Sequence, residues 1–91
     1  MLEAVKHYLR VDGSEQDSLL SSFVSAAKTY LTGAGVAEVA EGADGYDLYL
    51  LAVCVHVSMS FYGDEKGGLE RALVSIILQT KKYGGGEVES T

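Results

Sequence analysis

The chain has 91 residues, 47% of them hydrophobic, and a formal net charge of −6 from 13 acidic and 7 basic side chains. That length makes one domain, with more apolar material than so small a core needs, which favours packing against copies of itself. The charge excludes tight nucleic-acid binding: phosphate contact needs clustered Lys and Arg, and here Lys6, Arg10, Lys28, Lys66, Arg71, Lys81 and Lys82 are scattered.

Leu2, Val5 and Leu9 recur at i, i+3 and i+7, which predicts a helix over residues 2–10. Two turns are marginal alone, so this helix must dock on something larger, and Asp12-Gly13 breaks the chain after it. Ser14, with Asp17 three residues on, approximates a capping box for a second helix over residues 15–32. Its apolar stripe reads Leu19, Leu20, Phe23, Ala26, Ala27, Tyr30 and Leu31, and Gly33 is its stop. Residues 34–45 make a long connection of small residues carrying Glu38, Glu41 and Asp44. A loop of that length is either a solvated linker or a functional surface.

The next stretch is ambiguous. Val53, Val55, Val57, Met59 and Phe61 alternate as in a strand, while Tyr46, Leu50, Val53, Val57 and Phe61 share one helical face. Length decides for a helix over residues 45–62, with Asp44 as its cap. A helix apolar nearly all round belongs at the centre of the domain. Gly63 ends it, residues 64–68 turn the chain, and a last helix over residues 69–83 directs Leu69, Ala72, Leu73, Ile76, Ile77 and Thr80 to the core. Val74 and Leu78 lie off that stripe, four residues apart; with Leu2 and Val5 they are the candidate subunit interface. The expected fold is all-α: a helical domain over residues 1–83, a small bundle of about four helices with a long acidic loop between the second and third, and a flexible tail over residues 84–91.

No pattern that carries chemistry sits on this frame. Cys54 and His56, two apart on a helix, point roughly 200° away from each other and cannot share a proton. Each reads as a core or interface residue, His56 with its ring hydrogen-bonded. Two distant histidines and one cysteine do not offer the three or four ligands of a metal site. Glu38, Glu41, Asp44 and Asp47 lack the alternation of a calcium loop. The glycines at 33–35 and 84–86 lack the Lys-Ser/Thr of a phosphate loop. The expected sets of catalytic, cofactor-binding and metal-binding residues are therefore empty. A single cysteine forms no internal disulfide, no secretory leader precedes the first helix, and the longest charge-free stretch, residues 48–62, is short of the roughly 20 a bilayer crossing needs. These point to a soluble protein made in a reducing cytoplasm, with no membrane partner.

The segment VKHYLRVDGSEQDSLLSSFVSAAKTYL resembles the opening of the small head–tail connector proteins of long-tailed bacteriophages, which act in head completion and DNA packaging. Val5, Lys6, Leu9, Arg10, Asp12, Asp17, Leu20, Ala26 and Ala27 match that pattern. Leu51, Ala52, Val53 and the terminal Tyr62 resemble the family's central helix, and Leu73, Ile77 and Tyr83 suit its last one, so the likeness runs from residue 2 to residue 83. The chain departs from the pattern in having no proline before the last helix and only a short C-terminal extension.

The resemblance implies a mostly helical structural subunit of the virion, made in the bacterial host cytoplasm and placed at the head–tail junction. It implies a ring of about a dozen copies beneath the portal protein, extending the DNA channel and docking a stopper or tail-completion protein. DNA would pass through without specific binding, with Glu38, Glu41 and Asp44 as the axial or channel loop, since an acidic lumen repels phosphate. Gly84, Glu87 and Val88 would belong to a tail that orders on the portal. The alternative from a different class is a small acidic regulatory or inhibitory protein acting as a dimer, a DNA mimic or protein-binding module. A mimic carries carboxylates in dense rows, and these are sparse.

Overall fold

Four runs of helical periodicity become four helices in a computed structural model, which describes residues 1–65 and 67–84. Helix α1 spans Leu2–Leu9, α2 Asp17–Gly33, α3 Tyr46–Tyr62 and α4 Gly68–Gly84. No strand occurs among the described residues, so the alternation over residues 53–61 is helical. The bundle forms around α3, which packs on α4, α2 and α1, while α1 also packs on α2. Its buried residues, Tyr49, Ala52, Val53, Cys54, Val55 and Val57, run almost continuously along the sequence, as a helix covered on several sides requires. The core is completed by Val5 and Leu9 from α1, Leu20, Val24, Ala27 and Leu31 from α2, and Leu73, Ile76 and Ile77 from α4.

Gly63 closes α3 as expected, while other helix ends are closed by devices other than the expected ones. Ser14 does not cap α2 with its side chain; Gln16 occupies the cap position, and Ser14 contributes only its carbonyl, which accepts from the Asp17 N–H at 3.2 Å. Asp44 does not cap α3 either. The chain enters that helix through Gly45 at φ 88°, a left-handed position that favours glycine. Helix α1 ends in a Schellman-type closure, with the Val11 N–H donating to the Lys6 carbonyl at 3.0 Å and Arg10 held at φ 61°. Asp64 supplies the start of α4: its two carboxylate oxygens accept from the N–H groups of Leu69 and Glu70 at 3.1 and 2.9 Å. A carboxylate there satisfies orphan amides and complements the positive end of the helix dipole.

Two ties fix the short α1, which is too short to hold itself. The Lys6 ammonium donates to the Gly13 carbonyl at 2.6 Å and lies 2.8 Å from the Asp17 carboxylate, joining α1, the following turn and the start of α2. The hydrogen bond to Asp17 holds the Lys6 pKa above its usual value. At the far end of α3, the Tyr62 hydroxyl donates to the Leu9 carbonyl at 2.9 Å. Lys6, Leu9, Asp17 and Tyr62 all belong to the pattern that carried the resemblance, so part of that pattern is structural.

Candidate assembly interface

The informative surface is the apolar part the protomer leaves uncovered. On α4 the core side is Leu73, Ile76, Ile77 and Thr80. Val74 and Leu78 lie roughly 120° round the helix from that stripe and are 49% and 61% exposed, as their spacing foretold. Arg71 sits on the same strip, three residues before Val74, and is exposed.

The other two candidates on α1 differ from expectation. Val5 is fully buried within the protomer, so it is not available to a neighbouring copy. The reason is geometric: a two-turn helix has one apolar side, and Val5 and Leu9 use it against the core. Leu2 is half-buried and packs against the core, sharing a surface cleft with Ser21, Val24 and Lys28 of α2.

Two exposed apolar areas were not singled out from the sequence. The first is the outer side of α2. The expected stripe there is out of phase: the buried residues are Leu20, Val24, Ala27 and Leu31, while Leu19, Ala26 and Tyr30 face outward and Phe23 is half-buried. The stripe was wider than the area its neighbours cover, so one edge of it stays in solvent. The second is a groove of about 530 Å³ between α1 and α3, walled by Ala4, His7, Tyr8, Leu50, Leu51 and Cys54 with Asp47 at its rim. A larger open cleft lies at the end of α1, but it is polar, lined by Glu3, Arg10 and Asp12 among others.

Cys54 and His56 part company as the helical reading required. Cys54 is buried on the groove side, and burial pushes its thiol up to about 11, the opposite of an activated nucleophile. His56 faces α2, its ring 4.8 Å from that of Tyr30 at 38°. Burial lowers its pKa, and its Nδ1 is buried without a hydrogen-bond partner among the described residues, contrary to the bonded histidine expected. Tyr49 is fully enclosed, and its hydroxyl likewise has no described partner. Its pKa is raised by burial and, secondarily, by the charge of Glu38.

The acidic connection is anchored rather than free. Val36 is buried in the core, its N–H donating to the Leu31 carbonyl at 2.8 Å, and Val39 packs partly against it. Glu38 pairs with Lys28 of α2 at 3.2 Å. Glu41 and Asp44 are exposed. No three His, Cys, Asp or Glu residues among those described converge as a metal site would need. No helix among them is long and apolar enough to cross a membrane. Gly84 is the last residue of α4, and Glu87 and Val88 lie outside the described residues.

The subunit is all-α among the described residues and leaves apolar strips exposed on α2 and α4. The chain belongs to the Phage gp6-like head-tail connector protein family, whose profile matches residues 1–83, nearly its whole length. It is thus a structural connector of phage assembly. No curated protein and no solved structure shows significant similarity to it.

Proposed function

We propose that the chain forms a ring of about a dozen copies at the head–tail junction of the virion, beneath the portal protein, where it extends the DNA channel and receives a stopper or tail-completion protein. The family match over residues 1–83 carries this reading. The outward Val74 and Leu78 supply apolar surface for subunit contact, and the outward face of α2 supplies more. Glu41 and Asp44, with Glu38 drawn toward α2, form the loop we assign to the channel, where fixed negative charge keeps duplex DNA from adhering as it passes. Gly84, Glu87 and Val88 are assigned to portal docking.

Native mass spectrometry of the purified chain, from micromolar to millimolar concentration and with purified portal rings, tests the reading. A ring-sized homo-oligomer or a portal-bound ring is expected. A closed dimer that ignores the portal would favour the small acidic regulator instead.

A further inference from the structure

The ring reading leaves open which surfaces of one subunit meet which surfaces of the next. Three observations bear on that. The Val74–Leu78 strip is convex, an aliphatic pair at helical spacing on the outer side of α4. The groove between α1 and α3 is shallow, open and mainly apolar, with Tyr8 and Leu51 exposed along it and His7 and Asp47 among its lining. The two cannot satisfy each other within one subunit, because α4 packs on α3 and forms no packed pair with α1 among the described residues. Knob and groove are different surfaces, so the contact can repeat from copy to copy in the head-to-tail sense that the ring reading requires. Head-to-tail contacts generate rings when the rotation closes.

Charge adds a direction. Arg71 lies on the same strip as Val74 and Leu78, and Asp47 stands at the rim of the groove. Both are exposed, and neither is ion-paired within the subunit among the described residues. A helix laid into the groove with Val74 and Leu78 as its anchors carries Arg71 along the same strip toward the rim. The cleft beside α2, shared by Leu2, Ser21, Val24, Ser25 and Lys28, is smaller, at about 260 Å³.

We propose that Val74 and Leu78 of one copy seat in the α1–α3 groove of the next, with Arg71 of the first facing Asp47 of the second. The pairing rests on the ring reading and names the partner of each surface. It follows the helix-in-groove mode, in which residues at i and i+4 anchor an otherwise exposed helix.

The test uses four single variants, one double variant and the wild type, followed by native mass spectrometry and sedimentation, with circular dichroism to establish that each folds. Leu78→Asp removes the knob and Leu51→Asp blocks the groove. Each alone is expected to remain monomeric, its self-affinity weakened by at least about thirtyfold, the scale of a lost interface anchor. Mixed, they retain one intact knob and one intact groove, so a one-to-one dimer is expected and no ring. Arg71→Asp and Asp47→Arg, both at exposed positions, are each expected to weaken assembly, and the two combined in one chain to restore it. These charge variants decide the matter even where an aspartate in the groove unfolds the subunit. A wild-type ring that survives Leu78→Asp or Leu51→Asp, a mixture that stays monomeric, or a double charge variant that fails to recover, overturns the pairing and leaves the ring standing. A wild type that never assembles, with or without the portal, overturns the ring reading itself.

Discussion

Two buried polar atoms, the Tyr49 hydroxyl and the His56 Nδ1, give single residues of this chain effects of defined sign. The Tyr49 hydroxyl has lost water and gained no described partner, a situation that costs about 1–3 kcal/mol. Tyr49→Phe keeps the ring and removes the hydroxyl, so it is expected to raise stability by about 1 kcal/mol in urea unfolding; a loss instead would show that the hydroxyl is bonded. His56 gives a pH effect of defined sign. Its pKa is lowered in the fold by burial, so the unfolded chain holds the proton more tightly. Stability is therefore full above the ordinary value of about 6.5 and declines as the pH falls below it toward the folded value. The urea midpoint should drop between pH 7.5 and pH 5.5 more in the wild type than in His56→Gln, whose remaining decline reports the other titrating groups. None of this could be read from the chain alone. An unbonded hydroxyl or imidazole is a property of what surrounds it, and residue order specifies only that Tyr49 and His56 lie in an apolar run. The same holds for Lys6 and Asp17: their places in a recognisable pattern were visible, but their ion pair across the α1–α2 turn depends on how the turn folds back.

At the scale of elements, α1, α2 and α4 were legible from apolar spacing and glycine breaks, whereas α3, whose apolar residues fit a strand as well as a helix, was legible from its length. What was less legible is phase, and α2 and α4 show why. On α4 the apolar residues split into a dense core side and a separate pair, so the exposed Val74 and Leu78 were identifiable from spacing. On α2 they form one broad arc from Leu19 to Val24, and only packing on α3 and α1 decides which edge is covered. Caps were misjudged for a related reason. Ser14 and Asp44 are good capping residues close to the right places, but the chain direction at each helix start is set by the preceding turn, through Gly45 at α3 and through Asp64 reaching forward to α4. Val36 was passed over because it sits alone among small residues, with no periodicity to mark it. The division on α4 predicts a sharp contrast. Leu73→Ala, at a position only 1% exposed, should cost about 2–5 kcal/mol, a large share of the total stability expected of so small a domain. Leu78→Ala, five residues on and exposed on another side of the helix, should shift the subunit's stability by no more than about 0.5 kcal/mol. Denaturant unfolding of the monomer measures both, and similar losses would mean that Leu78 belongs to the core.

For the whole molecule, charge and apolar surface divide the work. The net charge of −6 opposes non-specific association of a subunit that exposes Tyr8, Leu19, Tyr30, Leu51, Val74 and Leu78, and it weakens any contact with nucleic acid. Repetition in a ring would concentrate this charge: a loop contributing two free carboxylates per subunit becomes a band of negative potential around the axis. Anchoring matters here, because Val36 in the core and Glu38 on Lys28 limit how far the loop can swing and leave Glu41 and Asp44 as its outward charges. Both carboxylates are exposed and neither makes a described ion pair, so reversing them should leave the fold intact. Glu41→Lys with Asp44→Lys is therefore expected to yield assembled rings that bind duplex DNA at low salt, with affinity falling steeply as salt rises, whereas wild-type rings do not bind. Gel-shift and sedimentation measurements across a salt series read this directly. The same double substitution in monomers, with only two lysines added per molecule, should bind far more weakly, because the effect depends on many copies facing one axis. Equal binding by monomer and ring would place the loop on the outside of the assembly, and variant rings that still ignore DNA would remove it from the channel altogether.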